Sequence, residues 1–437
     1  MNVVSRLTES PLKITACCRQ ALWGVLCGAC LQTVAADWLQ YLGPEGNGQS
    51  PEKIATPWPA EGLKVLWKAP TTDGFSTFAV SEGRAFTLMI RSINGFTREV
   101  CVALDAASGK ELWAAPLGLA KYDGGGDSGT DDNKGGDGPR STPSVAGQRV
   151  FALDAHLLLV ALDAATGNAV WSKDLVKEYG AKNIAWQSAA SPVVEGDRLL
   201  VCSGAEGGSL MALSTKDGSV VWKGESDAMT HTTPVVATIL GVRQVIFFTQ
   251  SGLVAADTAT GKVLWRYPFD YRVSTSASPV AAGDIVYCSA AYGVGSAAVK
   301  LVKEGDQFKV TQLWRIKGDK IANHWSTPVV KDGYVYGLFG LKEFGKAPLK
   351  CVELATGNVV WEQPNLGPGG VILADNRLLV LTDRGEVVLV DPQPAGYKEL
   401  ARSKAVEGKC WNHPVIAAGR LYVRSTKEGA CLELPPK

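Results

Sequence analysis

The sequence predicts an all-β fold, an eight-bladed β-propeller of four-stranded antiparallel blades whose ring is closed by an N-terminal strand. Three observations predict it: a turn phrase that recurs along the chain, a second phrase between its copies, and a lone strand near the N-terminus. Self-similarity with a period of roughly 40–50 residues is typical of solenoids and propellers.

The turn phrase has an acidic or Ser residue, a Gly four positions later and a Trp four positions after that Gly, as in residues 163–171. It predicts a β-hairpin in which the Gly takes a positive φ and the Trp lies on the outgoing strand. A Trp buries about 150–250 Å2, so each should pack on the neighbouring repeat. The residues given this structural role are Trp67, Trp113, Trp171, Trp222, Trp265, Trp314 and Trp361, and a degraded copy has Leu400 in the Trp position.

The second phrase is a lead of Ser, Thr or His, usually followed by Pro, in front of an apolar strand. It occurs eight times, before the strands that follow residues 78, 143, 192, 234, 279, 328, 370 and 414. The last repeat has only three strands, and the missing fourth is the lone strand that ends at Trp67. Closing the ring in this way leaves no open edge between the first and last blades.

Composition restricts the partners. The formal net charge is +1 with 20% charged residues, so the chain lacks the basic balance that nucleic-acid binding favours. We expect a protein partner in the cell envelope, no nucleic acid, no membrane span and a monomeric ring.

The first 36 residues precede the repeat. Basic residues up to Arg19 come before an apolar run at 21–36, an order typical of a secretory signal peptide cleaved before Asp37. The run is short for a membrane span. We expect export to the periplasm or the medium, with residues 1–36 as signal, 37–61 as an irregular strap and 62–437 as the propeller. A lipoprotein anchored through Cys30 is the alternative.

Ten cysteines are present, and the six beyond residue 36 lie mostly inside apolar strand patterns of different repeats. None has metal-ligand spacing such as CxxC. Small buried thiols are therefore expected, although export would permit disulfides.

Both phrases resemble the pyrroloquinoline-quinone (PQQ) repeat: Ala-Leu-Asp-Ala-Ala-Thr-Gly-x-x-x-Trp at 161–171 and Ser-x-Pro-Val-x-x-x-Gly at 326–333. The resemblance covers about residues 62–434. The repeat is found in quinoprotein alcohol dehydrogenases and in the lipoprotein propeller of the outer-membrane β-barrel assembly machinery. It implies the fold and says little of function, because its Gly and Trp are scaffold residues.

Function is expected on one face of the ring. Links between blades and loops from second to third strands share one end of each blade, and the insertions at 90–98, 114–139, 172–187 and 339–350 fall there. We call this the elaborated face and the opposite end the short-turn face. Binding residues concentrate on loops held by a rigid scaffold. Those expected around the channel mouth are Arg140, Trp186, Gln187, His231, His324, Trp325, Trp411, Asn412 and His413.

Two features of this face suggest ligands. His231, His324 and His413 precede the first strands of blades four, six and eight, which suits a ligand funnel or metal site, or hydrogen bonds to loop backbones. An acidic Gly-rich loop offers oxygen ligands for Ca2+, or is simply solvated, and it lacks the closing Glu of an EF-hand. Its carboxylates are Asp123, Asp127, Asp131, Asp132 and Asp137.

Two functions follow. The first is an exported, non-catalytic propeller scaffold that binds protein or another macromolecule through the elaborated face, in cell-envelope assembly. The alternative is a PQQ-dependent dehydrogenase that uses Ca2+, for which the resemblance implies an adjacent Cys pair. The only such pair is Cys17-Cys18, inside the expected signal. The candidate cation and stacking residues should lie in separate blades around a wide ring, so neither PQQ nor another cofactor is expected.

Overall fold

The structure is a computed structural model that describes residues 37–122, 138–269, 275–340 and 344–435. These residues belong to one compact unit, Ala35–Lys437. The strands form eight antiparallel sheets of four strands, one of them extended by a short parallel strand, which confirms the predicted propeller. The expected signal peptide at 1–36 and the five aspartates of the acidic loop lie outside the described residues.

The strands run in chain order. They are β1 (Gln49–Ser50), β2 (Val65–Pro70), β3 (Ala79–Ser81), β4 (Arg84–Ile93), β5 (Phe96–Asp105), β6 (Glu111–Leu119), β7 (Ser144–Ala146), β8 (Arg149–Leu153), β9 (Leu158–Asp163), β10 (Ala169–Asp174), β11 (Val193–Glu195), β12 (Arg198–Cys202), β13 (Leu210–Ser214), β14 (Val220–Gly224), β15 (Val235–Ile239), β16 (Val242–Thr249), β17 (Gly252–Asp257), β18 (Val263–Pro268), β19 (Val280–Ala282), β20 (Ile285–Ala290), β21 (Gly295–Glu304), β22 (Gln307–Ile316), β23 (Val329–Lys331), β24 (Tyr334–Leu338), β25 (Leu349–Glu353), β26 (Val359–Gln363), β27 (Gly370–Ala374), β28 (Arg377–Leu381), β29 (Glu386–Val390), β30 (Glu399–Lys404), β31 (Val415–Ala417), β32 (Arg420–Arg424) and β33 (Glu428–Glu433). Blades 1 to 7 are β3–β6, β7–β10, β11–β14, β15–β18, β19–β22, β23–β26 and β27–β30. A short helix, α1 (Leu175–Tyr179), lies in the link from blade 2 to blade 3.

Blade 8 is completed from the other end of the chain. β2 pairs antiparallel with β33, with Lys68 opposite Ala430, and β33 continues to β32 and β31. The predicted closure by an N-terminal strand is confirmed.

The repeated Trp and Gly form the contacts between blades. Gly109 has φ +72°, and a Cβ atom there would lie 2.6 Å from the indole of Trp67 in the preceding blade. Only Gly allows both that conformation and that approach. The indole Nε1 of Trp67 also donates to the carbonyl of Ala106, 3.0 Å away. Equivalent bonds join Trp113 to Ala164, Trp171 to Thr215, Trp222 to Thr258, Trp314 to Leu354 and Trp361 to Gln393.

Trp265 is the exception among the seven. The next blade carries the ten-residue strands β21 and β22, whose hairpin has no turn phrase at the expected position. The Trp265 Nε1 donates instead to Gln244 Oε1 of its own blade at 2.5 Å. The indole of Trp265 is still buried, as predicted, but it makes a different hydrogen bond from the other six.

The cysteine prediction is confirmed for the described residues. All six cysteines beyond residue 36 are free and buried. Burial raises the pKa of the Cys202 thiol to about 11. These thiols therefore behave as small apolar core groups.

The strap crosses the short-turn face of the ring. Trp38 forms a bridge with Val80 of blade 1, and β1 pairs in parallel with β27 of blade 7. Trp38 is 1% exposed and Leu42 is 2% exposed. Buried Trp and Leu side chains each contribute several kcal/mol, so the strap contributes to the stability of the ring.

Candidate functional site

Hydroxyl side chains in the second phrase connect the blades around the channel. Thr142 Oγ1 accepts from the Thr77 amide of blade 1 at 3.2 Å, and Ser191 Oγ accepts from the Thr142 amide at 2.9 Å. Thr233 and Thr327 accept in the same way from Ser191 and Ser278. The Ser and Thr of the lead therefore have a structural role, as a hydrogen-bonded girdle that satisfies buried amides.

His413 and Asn412 belong to this girdle. His413 accepts the Thr77 hydroxyl through its backbone carbonyl at 2.8 Å, and its Nε2 lies 3.3 Å from the Thr327 carbonyl. Its ring packs edge-on against Tyr41, which extends from the strap into the channel. His413 is 3% exposed and Asn412 is 4% exposed, so the structure places them inside the channel wall and not on an open rim.

A row of aromatic rings crosses the elaborated face. Phe75 packs on Trp411, Trp411 on Trp325 at 4.5 Å between ring centroids, Trp325 on His324 and His324 on Tyr292. We call these five residues the aromatic row. Because the row brings Trp325 and Trp411 into direct contact, the expectation that they are separated around a wide ring is wrong.

Blade 7 makes the contact between these two tryptophans possible. Its lead is Gly367-Pro368-Gly369-Gly370, and a Cβ atom at Gly370 would lie 2.3 Å from the Asn412 carbonyl. With no bulky side chain above blade 7, the Nε1 of Trp325 in the preceding link donates to the Pro368 carbonyl at 2.7 Å. Trp411 Nε1 is buried and has no hydrogen-bond partner within the described residues.

A second group of predicted residues lies over blades 2 to 4. Arg140 donates to the Trp186 carbonyl at 2.5 Å and faces the Tyr122 ring at 5.7 Å. Burial lowers the pKa of His231 to about 3, and the positive charge of Arg140 and the nearby His324 add to this effect. Arg140, Trp186, Gln187 and His231 are thus brought together, as a polar cluster next to His324.

His231 and His413 are neutral at pH 7. Burial lowers the pKa of His413 to about 4, as it does for His231. His413 lies against Tyr41 while His231 lies near Arg140, so the three histidines do not share one site. Among the described residues, no three His, Cys, Asp or Glu side chains are placed to hold a metal ion.

Several residues of this face hold an unusual backbone conformation. Among them, Trp186, Gln187 and Tyr292 have φ values of +63°, +58° and +60°. Positive φ is strained for bulky side chains, and strained residues cluster at binding sites and switches. Trp186 is 43% exposed and Tyr292 is 39% exposed, so the scaffold holds two large rings outward into solvent.

Sequence reasoning missed a buried carboxyl pair beneath the acidic loop. Glu99 is 0% exposed, accepts from the Tyr122 hydroxyl and from the Ala155 amide at 3.2 Å, and neighbours Asp154. Burial, with repulsion from Asp154, raises the pKa of Glu99 to about 8. The signal that could have indicated it is an acid directly before the apolar run at 100–104. In the part of the chain that is described, no helix has the length and apolar character to cross a membrane.

The profile of the family described as outer membrane protein assembly factor BamB matches residues 97–338 and 345–433. BamB of Shewanella oneidensis is 27% identical over 265 residues, which are 58% of this chain and 64% of that protein, so the chain spans just under two thirds of this relative. BamB of Yersinia pestis is 25% identical over 288 residues, 64% of this chain and 70% of that one.

Solved structures agree on the fold. The quinohemoprotein alcohol dehydrogenase of Comamonas testosteroni superposes with a TM-score of 0.65 at 13% identity, over 92% of this chain and 81% of that one. BamB of Moraxella catarrhalis gives 0.55 at 17%, over 86% and 98%. At these low identities the solved structures show only that the fold is shared. The family profile matches most of the sequence and therefore shows the family. The chain belongs to the family of outer membrane protein assembly factor BamB.

Proposed function

We propose that the chain is an exported, non-catalytic scaffold that binds protein partners through its elaborated face in outer-membrane protein assembly. Family membership supports the process, because the relatives are named as assembly factors. The observation that carries the binding site is two outward rings held at positive φ, Trp186 near Arg140 and Tyr292 at one end of the aromatic row. Exposed aromatic residues in a rigid setting are typical of protein-binding hot spots.

The alternative, a PQQ-dependent dehydrogenase, is less well supported by the described side chains. A stacking plane for the quinone would need a free indole face, but Trp325 and Trp411 are packed on each other. Arg140, the cation expected for a carboxylate, is engaged with the Trp186 carbonyl. No adjacent cysteines occur beyond residue 36, which also favours the scaffold over the quinone enzyme.

The test replaces the outward rings without disturbing their backbone. Asn tolerates positive φ, so Trp186→Asn and Tyr292→Asn remove an aromatic ring at little conformational cost. Leu240→Asn is the matched control, because Leu240 is also 41% exposed at positive φ but lies in a turn of the short-turn face.

Each variant would be tagged and cross-linked in the envelope of the exporting cell. We expect the double variant Trp186→Asn, Tyr292→Asn to lose at least ten-fold of its cross-linked protein partners, and Leu240→Asn to keep them. Equal recovery from all variants would contradict binding through the elaborated face. Loss with Leu240→Asn alone would move the site to the other face.

A further inference from the structure

Eight equivalent backbone amides point into the central channel. In each blade a tight hairpin joins the first strand to the second, and residue pairs along these strands alternate between hydrogen-bonded and non-hydrogen-bonded. In most first strands the second residue lies in a non-hydrogen-bonded pair. Its N–H group therefore points away from the second strand and into the channel. The register shows this in blade 5, where Ala282 pairs with Ile285 at the hairpin and Ala281 lies in the next, non-bonded pair. The eight residues are Val80, Val145, Val194, Val236, Ala281, Val330, Leu373 and Ile416.

The strap supplies acceptors to four of them. Consecutive strap residues pair with consecutive blades. The Trp38 carbonyl accepts from the Val80 amide at 2.8 Å, the Leu39 carbonyl from Val145 at 2.8 Å and Gln40 Oε1 from Val194 at 3.0 Å. The chain then crosses the channel, and the Gly48 carbonyl accepts from Leu373 at 2.8 Å. An extended polypeptide that runs along the first strands can thus offer one hydrogen-bond acceptor per residue to successive blades.

Where the strap crosses the channel, it supplies no acceptor to blades 4 and 5 among the described residues and leaves a cavity beside them. It measures about 270 Å3 and lies between strap residues 42–47 and the first strands of blades 4 and 5, with Val236 and Ala281 in its lining. Within the described residues, neither of these two amides has an acceptor. The equivalent amides of Val330 and Ile416 also have no acceptor within the described residues, but they do not line the cavity, so Val236 and Ala281 are the pair of neighbouring donors that one ligand can reach.

The charge in the cavity excludes a simple anion. Arg243 is its only described cation, and Glu195 accepts both of its hydrogen bonds, Nε at 2.7 Å and a terminal nitrogen at 2.8 Å. The remaining walls include Val235, Val280 and Pro279. Glu45 also lines the cavity and would repel an anion. A partly apolar cavity with two backbone donors therefore suits a peptide backbone better than a phosphate or carboxylate.

We propose that this cavity, which we call the strap cavity, binds an extended segment of a partner polypeptide. Two consecutive residues of that segment present carbonyl oxygens to the amides of Val236 and Ala281 and continue the pattern that the strap begins on blades 1 to 3. Small or apolar side chains of the segment contact Val235 and Val280. The site is at the opposite end of the channel from the aromatic row, and it does not rest on the function proposed above.

Proline substitutions test the donors selectively. Pro removes an N–H group and is tolerated where that group makes no ladder bond and the preceding residue is extended. Val236→Pro and Ala281→Pro therefore remove the proposed donors and keep the sheets. Val330→Pro is the matched control, since Val330 occupies the same register position in blade 6 and does not line the cavity.

The probe is the capped hexapeptide with the strap sequence 37–42, titrated into the isotopically labelled chain and followed by amide NMR. We expect shifts at Val236 and Ala281, a loss of affinity of at least ten-fold in the double proline variant, and unchanged affinity in Val330→Pro. Thermal melts confirm that the variants fold.

Three results would overturn the inference. The first is the absence of shifts at Val236 and Ala281 at millimolar peptide, and the second is equal affinity of all variants. The third is shifts at Val80 and Val145 instead, which would mean that the peptide displaces the strap. A concentration-dependent dimer with shifts at the cavity would assign the site to a second copy of this chain and also contradict a partner polypeptide.

Discussion

Replacing Gly109 by Ala should open the contact that joins the last blade to the first. A Cβ atom at this position would meet the Trp67 ring at 2.6 Å, well inside van der Waals contact. Trp67 lies on β2, the strand that closes the ring, and is 6% exposed. The added methyl group must therefore displace a buried indole or move the turn that carries it.

Two costs add up at this position. An Ala at φ +72° costs about 1–2 kcal/mol from backbone strain alone. Forcing the indole away adds about 1–3 kcal/mol, the usual cost of overpacking. We expect Gly109→Ala to lower the free energy of unfolding by about 2–5 kcal/mol in total.

Gly83 provides the matched control in the same blade. Its φ is +75°, nearly that of Gly109, but a Cβ atom there has nothing within 4 Å. Gly83→Ala should therefore lose only the strain, about 1–2 kcal/mol. The measurement is urea unfolding monitored by Trp fluorescence, with equal slopes required for comparison of the variants.

A double-mutant cycle identifies the cause. In a Trp67→Ala background the added methyl group has no indole to displace, so Gly109→Ala should cost no more than Gly83→Ala. The coupling energy between Gly109→Ala and Trp67→Ala should then be about 1–3 kcal/mol. If Gly109→Ala and Gly83→Ala are equally destabilising, or if Trp67→Ala leaves their difference intact, the packing of Trp on Gly does not hold the blades together.

Three further predictions concern other parts of the chain. Deleting residues 60–68 should remove the amide protection of β33 in hydrogen exchange, whereas deleting 37–50 should lower the unfolding free energy and leave that protection; loss in both would mean that the strap also closes the ring. Because the pKa of Glu99 is raised from 4.5 to about 8, the folded state keeps a proton that the unfolded state releases, so stability should fall between these pH values by up to about 1.4 kcal/mol per pH unit. Glu99→Gln should flatten that slope in pH-dependent melts and exposed Glu206→Gln should not; an unchanged slope would place the proton elsewhere. Calorimetric titration with PQQ and Ca2+ should show no micromolar binding and no alcohol-dependent dye reduction, and either signal would restore the dehydrogenase hypothesis.

The blade count was predictable because the residues that report it have one physical reason to be where they are. Gly109 and its equivalents need positive φ and a missing Cβ, and the Trp of the preceding blade needs a flat surface and an acceptor. These requirements are local to a hairpin and its neighbour, so they recur at a fixed spacing. Closure followed from the same logic, since Trp67 has its partner only if β2 belongs to blade 8.

The path of the strap could not be read from the sequence in the same way. Trp38 and Leu39 accept from backbone amides of blades 1 and 2 through their carbonyl oxygens, and such bonds place almost no demand on side-chain identity. The contact between Trp325 and Trp411 was also missed, because it depends on the absence of side chains in blade 7, at Gly369 and Gly370. The position of Trp265 was predicted, but its partner changed with the length of one hairpin.

The structural contacts are distributed unevenly between the two ends of the ring, and this bears on where recognition can evolve. The Trp–Gly contacts and the strap both lie on the short-turn face, where a change such as Gly109→Ala disturbs neighbouring blades. The girdle holds the channel wall through side chains of the strand leads, of which Thr142 is one. Among the described residues, the loops of the elaborated face carry none of the Trp–Gly contacts between blades, so Trp186 and Tyr292 are exposed at strained φ away from those contacts. A scaffold arranged in this way can change its partner by loop substitution alone, which is why shared architecture with a dehydrogenase says little about chemistry.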